Sequence, residues 1–304
     1  MKKMEALKER NIIALGFTQS MNNVSNSFLA LISGMRCLGH CQLAKIMAEI
    51  FIRRIRLNRL KLITKFILSM VLSVFWITGQ AQIGVQVLNK GIGGNTTVDL
   101  LGRLDRDVIS EQPDLVLLMV GTNDLLNSRK MLSFVEYRKN IIQIIEKLKK
   151  SNVELVLMSP PPVDSVYLFQ RHDRGKFITP PDEKLEAARN MLEKMSSEYG
   201  CHFIDVFSYF RGNGIPEHNK DDIIRNEHNN DSADGVHLTK KGNQLLVSFI
   251  FKNLLEYGQL IRGIRIICFG DSLTFGASMK GKGTSTGDTY PAVLKRALER
   301  HLEP

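Results

Sequence analysis

The chain has 304 residues, 43% of them hydrophobic and 24% charged, which excludes a low-complexity or fibrous protein and admits one or two globular domains. The net charge of +10 would suit a nucleic-acid or membrane partner, but 12 of the 41 Lys and Arg and only 3 of the 31 Asp and Glu fall in residues 1–82. The remainder is therefore nearly neutral, which excludes a surface built to track phosphates, and no nucleic-acid partner is expected.

In chain order, residues 1–52 form a basic extension with no motif that carries chemistry. Within it Cys37 and Cys41 flank His40, but no second ligand pair follows at a zinc-like interval, so no metal site and no structural disulfide are expected. Residues 53–82 read as a targeting segment. Arg53, Arg54, Arg56, Arg59, Lys61 and Lys65 precede the uncharged run Phe66–Ile77, and Gly79 and Ala81 follow. Twelve residues fall short of the roughly 20 that span a bilayer, and suit the apolar core of a secretory signal cleaved after Ala81. Such a signal begins some fifty residues late here, which a start at Met47 would cure. Its rival is an uncleaved anchor, with membrane association through residues 60–78. Either way the product is exported: periplasmic, extracellular or membrane-anchored.

From residue 83 to 304 short apolar runs alternate with helical patterns. Strands are expected at Gly84–Leu88, Leu115–Val120, Glu154–Ser159, Phe203–Val206 and Ile264–Phe269. Helices are expected at Thr97–Ile109, Phe134–Lys150, Glu183–Tyr199, Lys240–Tyr257 and Tyr290–His301. Alternation of this kind implies an α/β fold: a three-layer α/β/α sandwich on a parallel sheet, with any site at the carboxyl ends of the strands. Pro160–Pro181 and Phe207–Ala233 read as two long loops, the walls or lids of such a site.

Several strands end in residues that carry chemistry. Gly270-Asp271-Ser272 closes the last one, presenting a hydroxyl at the rim of the sheet. His237 lies in "DSADGVHLTKKG" with Asp234 three residues earlier, a turn that lets the carboxylate fix the imidazole tautomer. Asn123 in "GTND" offers a side-chain amide, and Gly94 in "GIGGNT" an uncrowded backbone N–H. Each string is weak alone, and "GIGGN" could equally be a tight turn or a phosphate loop, though it lacks the dinucleotide-binding spacing and a Walker lysine. His40, His172, His202, His218, His228 and His301 read as ordinary surface or core residues.

Together the four strings resemble the consensus blocks of the SGNH (GDSL-type) esterase and lipase superfamily. The resemblance covers about 220 residues from Ile83. It implies a flavodoxin-like SGNH-hydrolase fold and a serine ester hydrolase needing no cofactor. By resemblance Ser272 is the nucleophile, His237 the base and Asp234 its partner. The backbone N–H groups of Ser272 and Gly94 with the Asn123 amide form the oxyanion hole, and Asp271 supports the nucleophile loop. The family's order is broken, because its serine block comes first and here it comes last. A circular permutation restores the order, with residues 264–304 ahead of Ile83 and a sheet ordered 2-1-3-4-5. The expected substrate is a small-molecule, glycan or lipid ester, with short-chain or O-acetyl esters favoured by the polar and aromatic make-up of residues 160–181. A non-catalytic carbohydrate-binding module on the same fold, a nucleotide-binding protein, and a non-folding product of a rearranged gene are the alternatives. Oligomeric state is open.

Overall fold

The computed structural model describes residues 49–50, 53–54 and 84–302. The expected apolar run, its cleavage point, the membrane-associating stretch 60–78 and the Cys37–Cys41 pair lie outside the described residues. Contacts divide the chain between Ala81 and Gln82, and the elements that follow belong to the second unit.

The order along the chain is β1 (Gln86–Gly91), α1 (Thr97–Asp107), β2 (Leu115–Met119), α2 (Thr122–Leu126), α3 (Phe134–Lys150), β3 (Glu154–Met158), α4 (Ser165–Arg171) and α5 (Pro181–Tyr199). Then come β4 (His202–Ile204), α6 (Val206–Gly212), α7 (Glu227–Asn230), α8 (Lys240–Glu256), β5 (Arg265–Gly270), α9 (Ser272–Phe275) and α10 (Tyr290–Leu302). All strand pairs are parallel and the sheet runs β1-β5-β2-β3-β4. Counted from β5, this is the 2-1-3-4-5 order of the flavodoxin-like sheet. The last strand in sequence is thus an interior strand in space.

The periodicities explain the layers. In β2, Val116 and Leu118 point to one face with α1, α3 and α5, and Leu115, Leu117 and Met119 to the other with α8 and α10. All five are buried, as expected of a strand covered on both sides. Helix α3 buries Ile141, Ile144, Ile145 and Leu148 as one stripe, and a capping box between Ser133 and Glu136 starts it. Each such aliphatic side chain contributes about 1.5–3 kcal/mol when fully buried.

Three expectations shift. Strand β1 continues to Gly91 rather than stopping at Leu88, because Asn89, Lys90 and Gly91 pair with Cys268, Phe269 and Gly270 of β5. Strand β4 stops at Ile204, since Asp205 turns its carboxylate to accept from Ser208 N at 3.0 Å and caps α6. The two stretches read as long loops are broken by α4 and a 3-10 turn (Arg174–Lys176) in one, and by α6 and α7 in the other. Asp164, Asp205 and Asn226 supply the caps that nucleate those short helices. Cys201 and Cys268 are free, their thiols pushed up by burial to about 11 and about 12.

Candidate active site

The site gathers at the carboxyl ends of β1, β5 and β2. At the end of β5 the chain doubles back so tightly that a Cβ on Gly270 would lie 2.2 Å from the Met119 carbonyl oxygen and 2.3 Å from Thr274 Oγ1. Only glycine fits there. Asp271 follows, fully buried, and its Oδ1 accepts from Leu273 N at 2.9 Å, capping α9. Ser272 is the first residue of that helix and stays partly exposed.

His237 reaches Ser272 from the other side of the rim. Its backbone carbonyl accepts from Arg225 N at 2.8 Å, and Leu238 bridges to Ile224. Upstream, Asp234 Oδ1 accepts from Val236 N at 3.0 Å and His237 N at 2.9 Å, a turn in which the aspartate shapes the backbone it serves. The same carboxylate meets His237 Nδ1, at 2.8 Å through Oδ2 and 3.0 Å through Oδ1. With Nδ1–H donating to Asp234, Nε2 is left as an acceptor, and it stands 3.0 Å from Ser272 Oγ. The three residues that the sequence singled out as a triad are therefore one continuous hydrogen-bonded chain.

Burial alone would resist a charge on Asp234. The hydrogen bonds and charge of His237, with Arg171 nearby, outweigh it and hold the carboxyl well below the usual carboxylate range. Arg171 Nη2 donates to the Asp234 carbonyl at 2.5 Å and lies 3.6 Å from Oδ1, and Arg225 Nη1 lies 3.8 Å from Oδ2. Asp234 thus remains anionic at any pH at which an imidazole titrates.

Asn123 is the second residue of α2, just beyond the tip of β2. Its amide Nδ2 donates to the Asn95 carbonyl at 3.1 Å and lies 3.4 Å from Asp271 Oδ2. Its Oδ1 accepts from Asn127 Nδ2 at 3.2 Å, which fixes the direction of the amide. Gly94, just before Asn95, has φ of +75°, so the left-handed backbone itself asks for glycine, and its carbonyl accepts from Lys130 Nζ at 2.9 Å. Asn123 is thereby joined to the neighbours of both Gly94 and Ser272.

Asp271 apart, the residues packed around these were not legible. Asp124 is buried with its carboxyl pushed up by desolvation, and it accepts from Thr97 Oγ1 at 2.5 Å and Thr97 N at 2.9 Å. Burial, together with the Asp124 charge, raises Asp271 to about 7 against the Leu273 N–H bond. His218, read as an ordinary histidine, bonds the buried Asp164 at 2.6 Å and packs on Tyr167. Arg103, in the middle of α1, is buried and touches three strands or turns of the site. Its one local partner is Asp107 four residues on, and its other partners lie on distant segments. Among the described residues no cluster of three or more His, Cys, Asp or Glu is arranged to hold a metal ion.

Comparison with known proteins adds the lineage. The family model described as "GDSL-like Lipase/Acylhydrolase family" matches residues 78–245, ending before the strand that leads to Ser272. The chain is 29% identical over 130 residues to an acetylxylan esterase of Geobacillus stearothermophilus, covering 42% of this chain and 58% of that protein. It is 34% identical over 82 residues to the uncharacterised lipoprotein YqeF of Bacillus subtilis (strain 168), covering 26% of this chain and 34% of that protein. The match thus spans little more than half of one curated relative and a third of the other. Among solved structures, a putative acylhydrolase of Bacteroides fragilis NCTC 9343 superposes with a TM-score of 0.44 at 22% identity, covering 55% of this chain and 74% of that one. With the family model matched over more than half its length, this chain belongs to the GDSL-like lipase/acylhydrolase family, within the SGNH hydrolase superfamily.

Proposed function

We propose that this chain is a carboxylic ester hydrolase that works through an acyl-enzyme on Ser272. One observation carries the reading: Ser272 Oγ, His237 and Asp234 are linked by hydrogen bonds of 3.0 and 2.8 Å at the rim of the sheet. Ser272 Oγ attacks the ester carbonyl while its proton passes to His237 Nε2, and Asp234 stabilises the imidazolium. The carbonyl oxygen becomes an oxyanion held by the Ser272 and Gly94 N–H groups and the Asn123 amide, each worth roughly 3–4 kcal/mol in the transition state. Collapse breaks the C–O bond as His237 returns the proton to the leaving alkoxide. Water, deprotonated by His237, then attacks the acyl carbon and frees Ser272.

The substrate we favour is a short-chain or O-acetyl ester, including acetylated glycans. Similarity to an acetylxylan esterase supports it. The composition of residues 160–181 does not, because Tyr167 is buried with its hydroxyl on Glu227 and Arg171 is turned onto Asp234. Export is supported by the basic-then-apolar leader and by a lipoprotein among the relatives. We read the block order as a circular permutation, in keeping with β5 lying between β1 and β2.

The test is hydrolysis of p-nitrophenyl acetate, p-nitrophenyl butyrate and acetylated xylo-oligosaccharides by the full chain beside Ser272→Ala, with matched circular dichroism. Turnover that disappears in the folded variant is the expected result. Equal turnover in both would remove Ser272 from the mechanism, and a folded parent inert on all three would favour a binding module.

A further inference from the structure

We propose that Arg103 is a positioning residue that sets the oxyanion donors at their working spacing. The inference rests on the ester-hydrolase reading above and adds to it a residue that touches neither substrate nor nucleophile.

Arg103 is 6% exposed and its guanidinium is used on nearly every side. Nη2 donates to the Gly270 carbonyl at 2.9 Å, two residues before Ser272. Nη1 donates to the Lys90 carbonyl at 2.8 Å, near the end of β1, and to Asp107 Oδ2 at 3.0 Å. Nε donates to Asn95 Oδ1 at 2.8 Å, in the turn that carries Gly94. The guanidinium carbon lies 4.5 Å from the centre of the Phe269 ring, so the fork is pinned in plane as well as at its tips.

Three of those partners, Gly270, Lys90 and Asn95, belong to the segments that lead to the donors. The Gly270 carbonyl, which Ile92 N also reaches at 3.2 Å, leads into the Ser272 N–H. Asn95 follows Gly94 directly, and its carbonyl accepts the Asn123 amide. One planar fork therefore fixes the turn that bears the Gly94 donor, and on which the Asn123 amide leans through the Asn95 carbonyl, against the strand that leads to Ser272. A lysine, with a single ammonium, cannot bridge the same three acceptors in one plane. An offset of about 1 Å among such groups costs roughly 100-fold in rate, because donors must meet the oxyanion rather than the ground-state carbonyl. The loss should therefore fall on kcat and spare KM. Asp107 keeps a second partner when Arg103 is removed, since Arg106 Nε lies 2.6 Å from its Oδ1.

The experiment uses the full chain with p-nitrophenyl acetate: parent, Ser272→Ala, Arg103→Ala, Arg103→Lys and Asn95→Ala, each with near-UV circular dichroism and a melting curve. The expected result is a folded Arg103→Ala with kcat down roughly 100-fold and KM within about two-fold. Arg103→Lys should recover little of this. Added ethylguanidinium should raise kcat in Arg103→Ala in a saturable way and do nothing for Ser272→Ala. Parent-like kcat in folded Arg103→Ala, or no recovery with ethylguanidinium, overturns the proposal. If Arg103→Ala does not fold, Asn95→Ala decides: about a tenfold fall in kcat at an unchanged melting temperature supports it, and parent kcat overturns it. A folded parent no better than Ser272→Ala is a different failure, that of the hydrolase reading itself.

Discussion

Replacing Asp234 with asparagine separates charge from shape at one atom. In the parent, Oδ1 accepts from two backbone N–H groups of its own turn while Oδ2 meets His237 Nδ1 at 2.8 Å. Asparagine keeps a carbonyl oxygen for the turn, so the backbone around His237 should hold. The amide nitrogen then occupies the Oδ2 position, where a donor faces the Nδ1 hydrogen and Arg225 Nη1. Two donors cannot share that bond, and Oδ1, 3.0 Å from Nδ1, is already taken by the two backbone N–H groups, so the imidazole takes the other tautomer, with its hydrogen on Nε2 facing Ser272 Oγ at 3.0 Å. A protonated Nε2 cannot accept the serine proton. On the proposed mechanism kcat falls by roughly 10⁴, equivalent to about 5.5 kcal/mol, with KM little changed. Steady-state hydrolysis of p-nitrophenyl acetate across neutral pH, beside melting curves of both proteins, reads the effect. A folded Asp234→Asn within tenfold of the parent would refute the tautomer argument and remove Asp234 from the reaction.

Three further outcomes are open to measurement. Asn123→Ala, which deletes one proposed oxyanion donor, should lower kcat by roughly 10²–10³ at nearly constant KM, and a change confined to KM would count against that role. Gly270→Ala drives a methyl to within 2.2 Å of the Met119 carbonyl oxygen and 2.3 Å of Thr274 Oγ1. It should cost about 3 kcal/mol, or roughly 10 °C in Tm for a domain of this size, and an unchanged melting curve would contradict the packing. Asp271 holds its proton up to about pH 7 in the fold because it is buried, whereas an unfolded aspartate releases it near pH 4. The folded state binds the extra proton, so stability present at low pH drains as pH rises between those values, by at most about 4 kcal/mol. Asp271→Asn should flatten that decline in Tm, and an identical pH profile for parent and variant would refute it.

What was legible in the sequence was whatever local chemistry dictates. The run of β2 is apolar at every position and could only be a strand covered on both faces, and α3 announces itself through isoleucines at helical spacing. Ser272, His237, Asp234 and Asn123 were visible because each stands where a strand or turn ends. What could not be read depends on partners distant in sequence. The extra residues of β1 are polar or glycine and remain extended because β5, some 180 positions later, supplies their hydrogen-bond partners. Arg103 shows no sign of burial until β1 and β5 lie side by side. The short helices of the rim had a readable signal in Asp164, Asp205 and Asn226, but a cap matters only where the following turn can pack.

The place of β5 divides the molecule in an unusual way. Residues 84–256 contain Asn123, Asp234 and His237, and residues 265–302 contain Ser272, so neither length of chain holds a whole triad. Until β5 enters, β1 has no neighbour and β2 offers an open edge, and the same insertion that closes the sheet brings hydroxyl to imidazole. On the proposed mechanism assembly and competence are one event, and a nascent or clipped chain would be unable to hydrolyse esters. If the proposed hydrolysis holds, the two lengths, made separately, amount to a split enzyme whose recovered turnover would report the docking of a single strand.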